Sequence, residues 1–270
     1  MDSITTDEIK QLIRVKLQNA SQATQKNLLK YLRGIFNYAF ERGALSRVPV
    51  PKMQFRQVDK IKGCLNEQQI KIFLEKALQA NHEWYPIWSA AIYTGLRSGE
   101  LYALTWDSVD LENRRIFVRR AWNHKAGFKE LTKSGEDRVV EIAPPLVTIL
   151  KELKLSSNFD ESVFVLPRIE AWDQGQQAAV LAYFLIGIGL PRVRFHDLRA
   201  SWATACLGRG IPPAQVMSMG GWKDLKTMMI YMRKAGISIK GMTDQLNFHD
   251  PLPKVGEVIP LMKIKKAGEI

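Results

Sequence analysis

The chain has 270 residues, 46% of them hydrophobic and 24% charged, with a formal net charge of +12. That apolar fraction excludes a disordered chain, and the length admits one large or two modest domains. Two cysteines, Cys64 and Cys206, without a C-x-x-C pair, exclude a disulfide framework, and the positive charge points to a polyanionic partner, nucleic acid before a membrane surface.

Residues 1–45 read as helical. Ile9, Leu12 and Ile13 form a short apolar stripe, and Leu28, Leu32, Ile35, Phe36, Ala39 and Phe40 form a longer one, with Gly43 where a helix would end. Residues 46–64 lose this period. Pro49, Pro51, Arg56, Lys60, Lys62 and Gly63 mark a basic linker, either plainly solvated or lying along a phosphate backbone. A new helix starts at Asn66, with Gln69 three residues on as its capping-box partner, and buries Ile70, Phe73, Leu74, Ala77 and Leu78. Trp84 to Tyr93 is the next helix, closed by Gly95.

A β pattern follows. Arg115 to Trp122 is rich in β-branched and aromatic residues, and Lys129–Lys133 and Arg138–Ile142 are its expected partners, joined by a turn at Ser134–Asp137. Helices are then expected at about 145–154, 176–188, 197–208, 212–219 and 224–233. The longest apolar run, Ala178 to Leu190, is shorter than the roughly 20 residues that span a bilayer, so it reads as a buried helix and no membrane is expected. The first residues carry no basic-then-apolar signal pattern, and with the cysteine usage this makes the cytoplasm the expected compartment.

Four side chains suit attack on a phosphodiester. Its transition state gathers charge on the non-bridging oxygens, which two guanidiniums can meet with paired hydrogen bonds. Arg97 and Arg199 are the candidates. His196 alone would read as a core histidine, but it stands three residues before Arg199, on the same helix face, where it can donate to phosphate or move a proton. On a helical wheel Leu225, Met228, Met229 and Met232 share a stripe. Tyr231 falls beside that stripe, with its ring partly packed and its hydroxyl reaching out. A phenol needs a base or nearby cations to become a nucleophile, and Arg97, Arg199 and His196 can supply them; an ordinary half-buried tyrosine is the alternative. Lys133, at the hairpin tip, is either a solvated charge or the acid that protonates a leaving oxygen.

Other chemistries find no motif. There is no G-x-x-x-x-G-K-[ST] loop and no zinc pattern, and Asp107 with Asp110 reads as a turn and not as a metal pair. No metal and no cofactor is expected.

Together these motifs resemble the tyrosine recombinases of the phage-integrase family, from roughly residue 20 to residue 235. Gly95-Leu96-Arg97-Ser98-Gly99-Glu100-Leu101 is similar to the family's first catalytic box, which makes Arg97 a catalytic arginine and Glu100 its support. Thr132-Lys133-Ser134-Gly135 resembles the family's β-hairpin, which makes Lys133 the general acid, and His196-Asp197-Leu198-Arg199 matches H-x-x-R. Nine residues before Tyr231 stands Trp222, where some members have tryptophan and most histidine. Its indole N–H can donate to phosphate but cannot act as a base.

The resemblance implies a mainly α fold with a small three-stranded antiparallel sheet. It implies a partial helical core-binding clamp at 1–45, a basic linker at 46–64, a catalytic domain at 65–234, and a tail at 235–270 that docks on a neighbouring subunit or frays. It implies site-specific cleavage and rejoining of double-stranded DNA through a 3′-phosphotyrosyl intermediate, with self-association on DNA as a tetramer and room for a directionality factor. Lys60, Lys62, Arg119 and Arg120 are further DNA-contact candidates. At the front the resemblance weakens: the family's core-binding domain has more helices than residues 1–45 hold, so the sequence reads as a fragment or as half a clamp. The alternative reading is a DNA-binding accessory protein that keeps the fold and no longer cuts. A type IB topoisomerase shares the chemistry but fits the motif wording less well.

Overall fold

The computed structural model describes residues 4–55, 63–123, 125–130, 138–156 and 163–235. Lys60, Lys62, Lys133 and the tail from 236 lie outside the described residues. The chain divides into two compact units, residues 1–61 and 62–270.

In the first unit, α1 (Thr6–Gln11) starts at a capping box in which the Glu8 amide donates to the Thr5 hydroxyl and the Thr5 amide donates to the Glu8 carboxylate. A π-helical turn, Leu12–Lys16, leads to α2 (Gln22–Glu41), after which Gly43 takes a left-handed φ of 72°. Ile9, Ile13 and Leu29 are the buried centre, with Leu17, Leu32, Phe36, Val50, Met53 and Phe55 packed on it. The segment from Val50 to Phe55, expected in the linker, therefore lies on the helices. Leu12, Ile35 and Phe40 were expected in the buried stripes and are exposed. The reason is that α2 carries apolar residues on more than one face, Tyr31 and Tyr38 included, and this unit covers only the Leu29 face.

In the second unit, α3 (Glu67–Gln79) begins where Asn66 and Gln69 exchange hydrogen bonds of 2.8 and 2.9 Å. It buries Ile70, Phe73 and Ala77, while Leu78, expected inside, is 53% exposed in the last turn. Next come α4 (Tyr85–Thr94), α5 (Ser98–Tyr102) and a 3-10 turn, Trp106–Ser108. Five short strands follow: β1 (Val109–Asp110), β2 (Arg115–Val118), β3 (Arg120–Asn123), β4 (Gly127–Glu130) and β5 (Arg138–Glu141).

The expected single strand over Arg115–Trp122 is in fact two. It breaks at Arg119, so that β1, β2 and β5 form a three-stranded antiparallel sheet while β3 and β4 form a separate hairpin. The third strand of the sheet is thus Val109–Asp110, while Lys129 and Glu130 of the expected partner pair with Ala121 and Arg120 in the separate hairpin. Ile116 pairs with Val140 across β2 and β5, and these two, with Val118, face the core at alternate positions, as a half-buried sheet requires.

Six helices complete the described part of this unit: α6 (Pro144–Ser156), α7 (Glu170–Asp173), α8 (Gln177–Gly187), α9 (Phe195–Gly208), α10 (Pro213–Gly220) and α11 (Leu225–Lys234). The core joins α3, α4 and α8 around Phe73, Trp84, Trp88 and Leu185. A second cluster joins Trp202 and Ala203 of α9 to Val216, Met228 and Tyr231. The fold is mainly helical with a small antiparallel sheet. No helix among the described residues is long and apolar enough to cross a membrane.

Candidate active site

The site grows from two glycine-ended helices. At the end of α4, Gly95 adopts φ +63°, and a Cβ there would overlap the Trp202 ring. Only glycine combines that backbone with that contact. The carbonyl of Gly95 accepts a 2.6 Å hydrogen bond from Nη1 of Arg199, which lies on α9 and is 3% exposed. Two residues after Gly95, Arg97 caps α5, and the Glu100 carboxylate accepts from its backbone amide at 2.8 Å and from its guanidinium at 2.7 Å. The Arg97 side chain is 46% exposed and Glu100 is buried.

The end of α10 closes the site. Nη2 of Arg199 donates to the Gly220 carbonyl, and Nη2 of Arg97 reaches the Gly221 carbonyl at a long 3.4 Å. Gly221 has φ +64°, which turns the chain into Trp222. The Trp222 ring lies over the Arg199 guanidinium at 4.0 Å, an attractive cation–π geometry, and its centroid is 5.4 Å from the Tyr231 ring. Trp202 also stacks on it, with ring centroids 6.0 Å apart.

Tyr231 departs from the sequence expectation. It is 5% exposed, inside the core face of α11 with Met228, whereas Leu225 and Met229 of the expected stripe are exposed. Helical period fixes which residues share a face but not which face docks. Here aromatic packing on Trp222 sets the rotation of α11.

Burial and charge tune these groups. Burial raises the Tyr231 pKa, and the neighbouring Arg199 charge opposes that rise. Burial, then the Arg97 charge, pushes Arg199 down to about 9, which leaves it cationic at neutral pH. Burial alone would raise the Glu100 carboxyl, but hydrogen bonds and charge from Arg138, and then from Arg97, outweigh it and hold its pKa below 4.5. A depressed folded pKa stabilises the fold above the unfolded value, and that stability is lost as pH falls through the folded value. Melting temperature should therefore fall as pH drops below about 4.5, with a flatter acid limb in Glu100→Gln. Identical limbs in thermal melts of the two proteins would remove Glu100 from this balance. Stranding either partner of the Glu100–Arg138 pair costs about 3–5 kcal/mol.

Arg97, Glu100, Arg199, Trp222 and Tyr231 are thus brought together. His196 lies in the first turn of α9, exposed, one turn before the buried Arg199. Arg119 is exposed with its guanidinium 5.0 Å from the Phe117 ring centroid. Arg120 is committed within the chain, donating to both Asp107 carboxylate oxygens at 3.0 Å and to Thr105 at 2.7 Å. Asp110 accepts from the Asn113 amide at 2.9 Å, as its turn reading requires. Among the described residues no group of three or more His, Cys, Asp or Glu side chains is placed to hold a metal. Sequence reasoning missed Arg138, whose side chain is 9% exposed and makes a bidentate pair with Glu100 at 2.6 and 3.0 Å. Its one visible signal was a charged residue opening the strand expected directly after the Ser134–Asp137 turn.

Comparison with known proteins gives the same frame. The chain is 26% identical over 248 residues to a tyrosine recombinase XerC-like protein of Caldanaerobacter subterraneus subsp. tengcongensis, covering 79% of this chain and 63% of that one. It is 24% identical over 257 residues to the integrase of Salmonella phage P22, covering 87% and 60%. The chain thus spans less than two thirds of the length of these relatives. Its fold is similar to that of a fragment of the Tn1549 transposon integrase solved in complex with circular intermediate DNA, with a TM-score of 0.73 at 16% identity over 91% of this chain and 86% of that one. Residues 63–236, which hold Gly95, Arg97, Arg199, Trp222 and Tyr231, match the phage integrase family, and the chain belongs to that family.

Proposed function

We propose that this chain is a site-specific recombinase, the integrase of a mobile genetic element, which cleaves and rejoins double-stranded DNA. One observation carries the reading: Arg97, Arg199, Trp222 and Tyr231, from four separate segments, converge on the end of α10. The relatives named recombinase and integrase support it, as does the similar fold of an integrase bound to DNA.

The Tyr231 hydroxyl oxygen attacks the scissile phosphorus and forms a tyrosyl ester to the 3′ side, while the bond to the 5′ oxygen breaks. Lys133 gives that oxygen its proton. Arg97 and Arg199 hold the non-bridging oxygens, where charge accumulates. His196 takes the phenolic proton and, once protonated, donates to the phosphate, with the Trp222 indole N–H as a further donor. The 5′ hydroxyl of a partner duplex then gives its proton to Lys133 and attacks the tyrosyl ester, and Tyr231 leaves with the proton held on His196. One ester replaces another at each step, so no nucleotide is consumed.

The same reading assigns 1–45 to a DNA clamp and 65–234 to catalysis, places the work in the cytoplasm, and has the protein assemble as a tetramer on paired sites. The test is strand exchange between two labelled duplexes carrying the junctions of the encoding element, without ATP. Recombinant product is expected. Relaxation of supercoiled DNA without a second site would favour a topoisomerase, and tight binding with neither product would favour an accessory DNA-binding protein.

A further inference from the structure

Three successive carbonyls at the end of α10 are each met by a different arginine. Met219 accepts from Nε of Arg138 at 2.8 Å, Gly220 from Arg199, and Gly221 from Arg97. These are carbonyls that a helix end leaves without an intrahelical partner, at the negative end of its dipole. The next residue is Trp222, and the next helix carries Tyr231. Two of the three arginines belong to the proposed phosphate site. The third does not face it: Arg138 enters from β5, is nearly buried, and divides its guanidinium between Met219 and Glu100.

Glu100 is the second junction. Each of its oxygens accepts one hydrogen bond from Arg138 and one from Arg97. The carboxylate is therefore saturated, and Arg97 is aimed by a group that Arg138 holds. Arg138 also packs on Gly221, where a Cβ would come within 3.0 Å of its Cδ. A single side chain thus touches the support of Arg97 on one side and the turn that presents Trp222 on the other.

We infer that Arg138 is a positioning residue of the recombination site, which sets Arg97 through Glu100 and fixes the Met219–Gly221 turn ahead of the helix that carries Tyr231. The inference rests on the proposed function and adds a residue to it. Lysine replaces arginine only in part here, because an ammonium lacks the planar fork that meets both carboxylate oxygens and a carbonyl at once.

The test has two arms. In the first, adduct formation on nicked DNA is timed at saturating protein for Arg138→Met, Glu100→Gln and the double variant, each corrected for folded fraction by circular dichroism. Arg138→Met should lose roughly 100-fold in rate with DNA affinity retained, the scale of effect that a small misplacement produces. Arg138→Lys should fall between Met and the unaltered chain. The double variant should lose no more than the worse single one, because both act through one junction. Losses that multiply, or an unchanged rate in Arg138→Met, would overturn the inference. The second arm needs no DNA. The amides of Gly221 and Trp222, bonded to the Ser218 and Met217 carbonyls, should exchange hydrogen faster in Arg138→Met, while α3 amides keep their protection. Unchanged exchange at Gly221 and Trp222, or an equal rise everywhere, would overturn it. This arm decides on Arg138 even where the unaltered chain forms no adduct, a result that would contradict the proposed function itself.

Discussion

Tyr231→Phe should abolish covalent attachment to DNA while the affinity for that DNA stays unchanged. Only the nucleophilic oxygen is lost. The ring keeps its place against Trp222 and Met228, so the turn and helix around it keep their packing. Removing a nucleophile that works with its neighbours as one unit costs on the order of a million-fold, so adduct should fall below detection. The burial that raises the Tyr231 pKa keeps the resting phenol protonated, and the Arg199 charge opposes it. Attack therefore depends on cations and a proton acceptor being in place together. The check pairs a filter-binding titration with a denaturing gel on the same samples. A Phe variant that still forms adduct would move the nucleophile elsewhere.

The second large effect is expected at Arg199. In Arg199→Lys a single ammonium replaces a guanidinium that reaches the Gly95 carbonyl, the Gly220 carbonyl and the Trp222 face at once. At least one buried carbonyl loses its donor, at about 1–3 kcal/mol. Trp222 also loses the planar cation it covers. The melting temperature should drop. The rate of adduct formation should fall by roughly 100- to 1,000-fold, the usual result of losing one donor to developing transition-state charge. Measuring the rate well below the melting temperature separates the two effects. Wild-type activity in this variant would remove Arg199 from the site.

Much of this was legible in the sequence where the signal is local. Asn66 and Gln69 mark a helix start because a capping box lies within four residues. Gly95 and Gly43 mark helix ends because left-handed backbone favours glycine. His196 and Arg199 do share a helix, as their spacing requires. What was not legible depends on tertiary choice. Nothing in Leu225–Met232 says that α11 docks by Met228 and Tyr231, since Leu225 and Met229, both exposed, are equally apolar. The break at Arg119 is not written in the β-rich run, because β2 and β3 part only to take different partners, β5 and β4. The role of Arg138 was not legible because its partners Glu100 and Met219 lie 38 and 81 residues away. A salt bridge of that range leaves no periodic trace.

The central claim is that Tyr231 becomes joined to DNA. The most direct measurement uses duplexes from the junctions of the encoding element, nicked beside the scissile phosphate so that cleavage cannot reverse, with EDTA present. A covalent protein–DNA adduct on a denaturing gel, mapped by peptide sequencing to Tyr231, is the predicted result. Tight binding without an adduct, or an adduct at any other residue, would contradict the account.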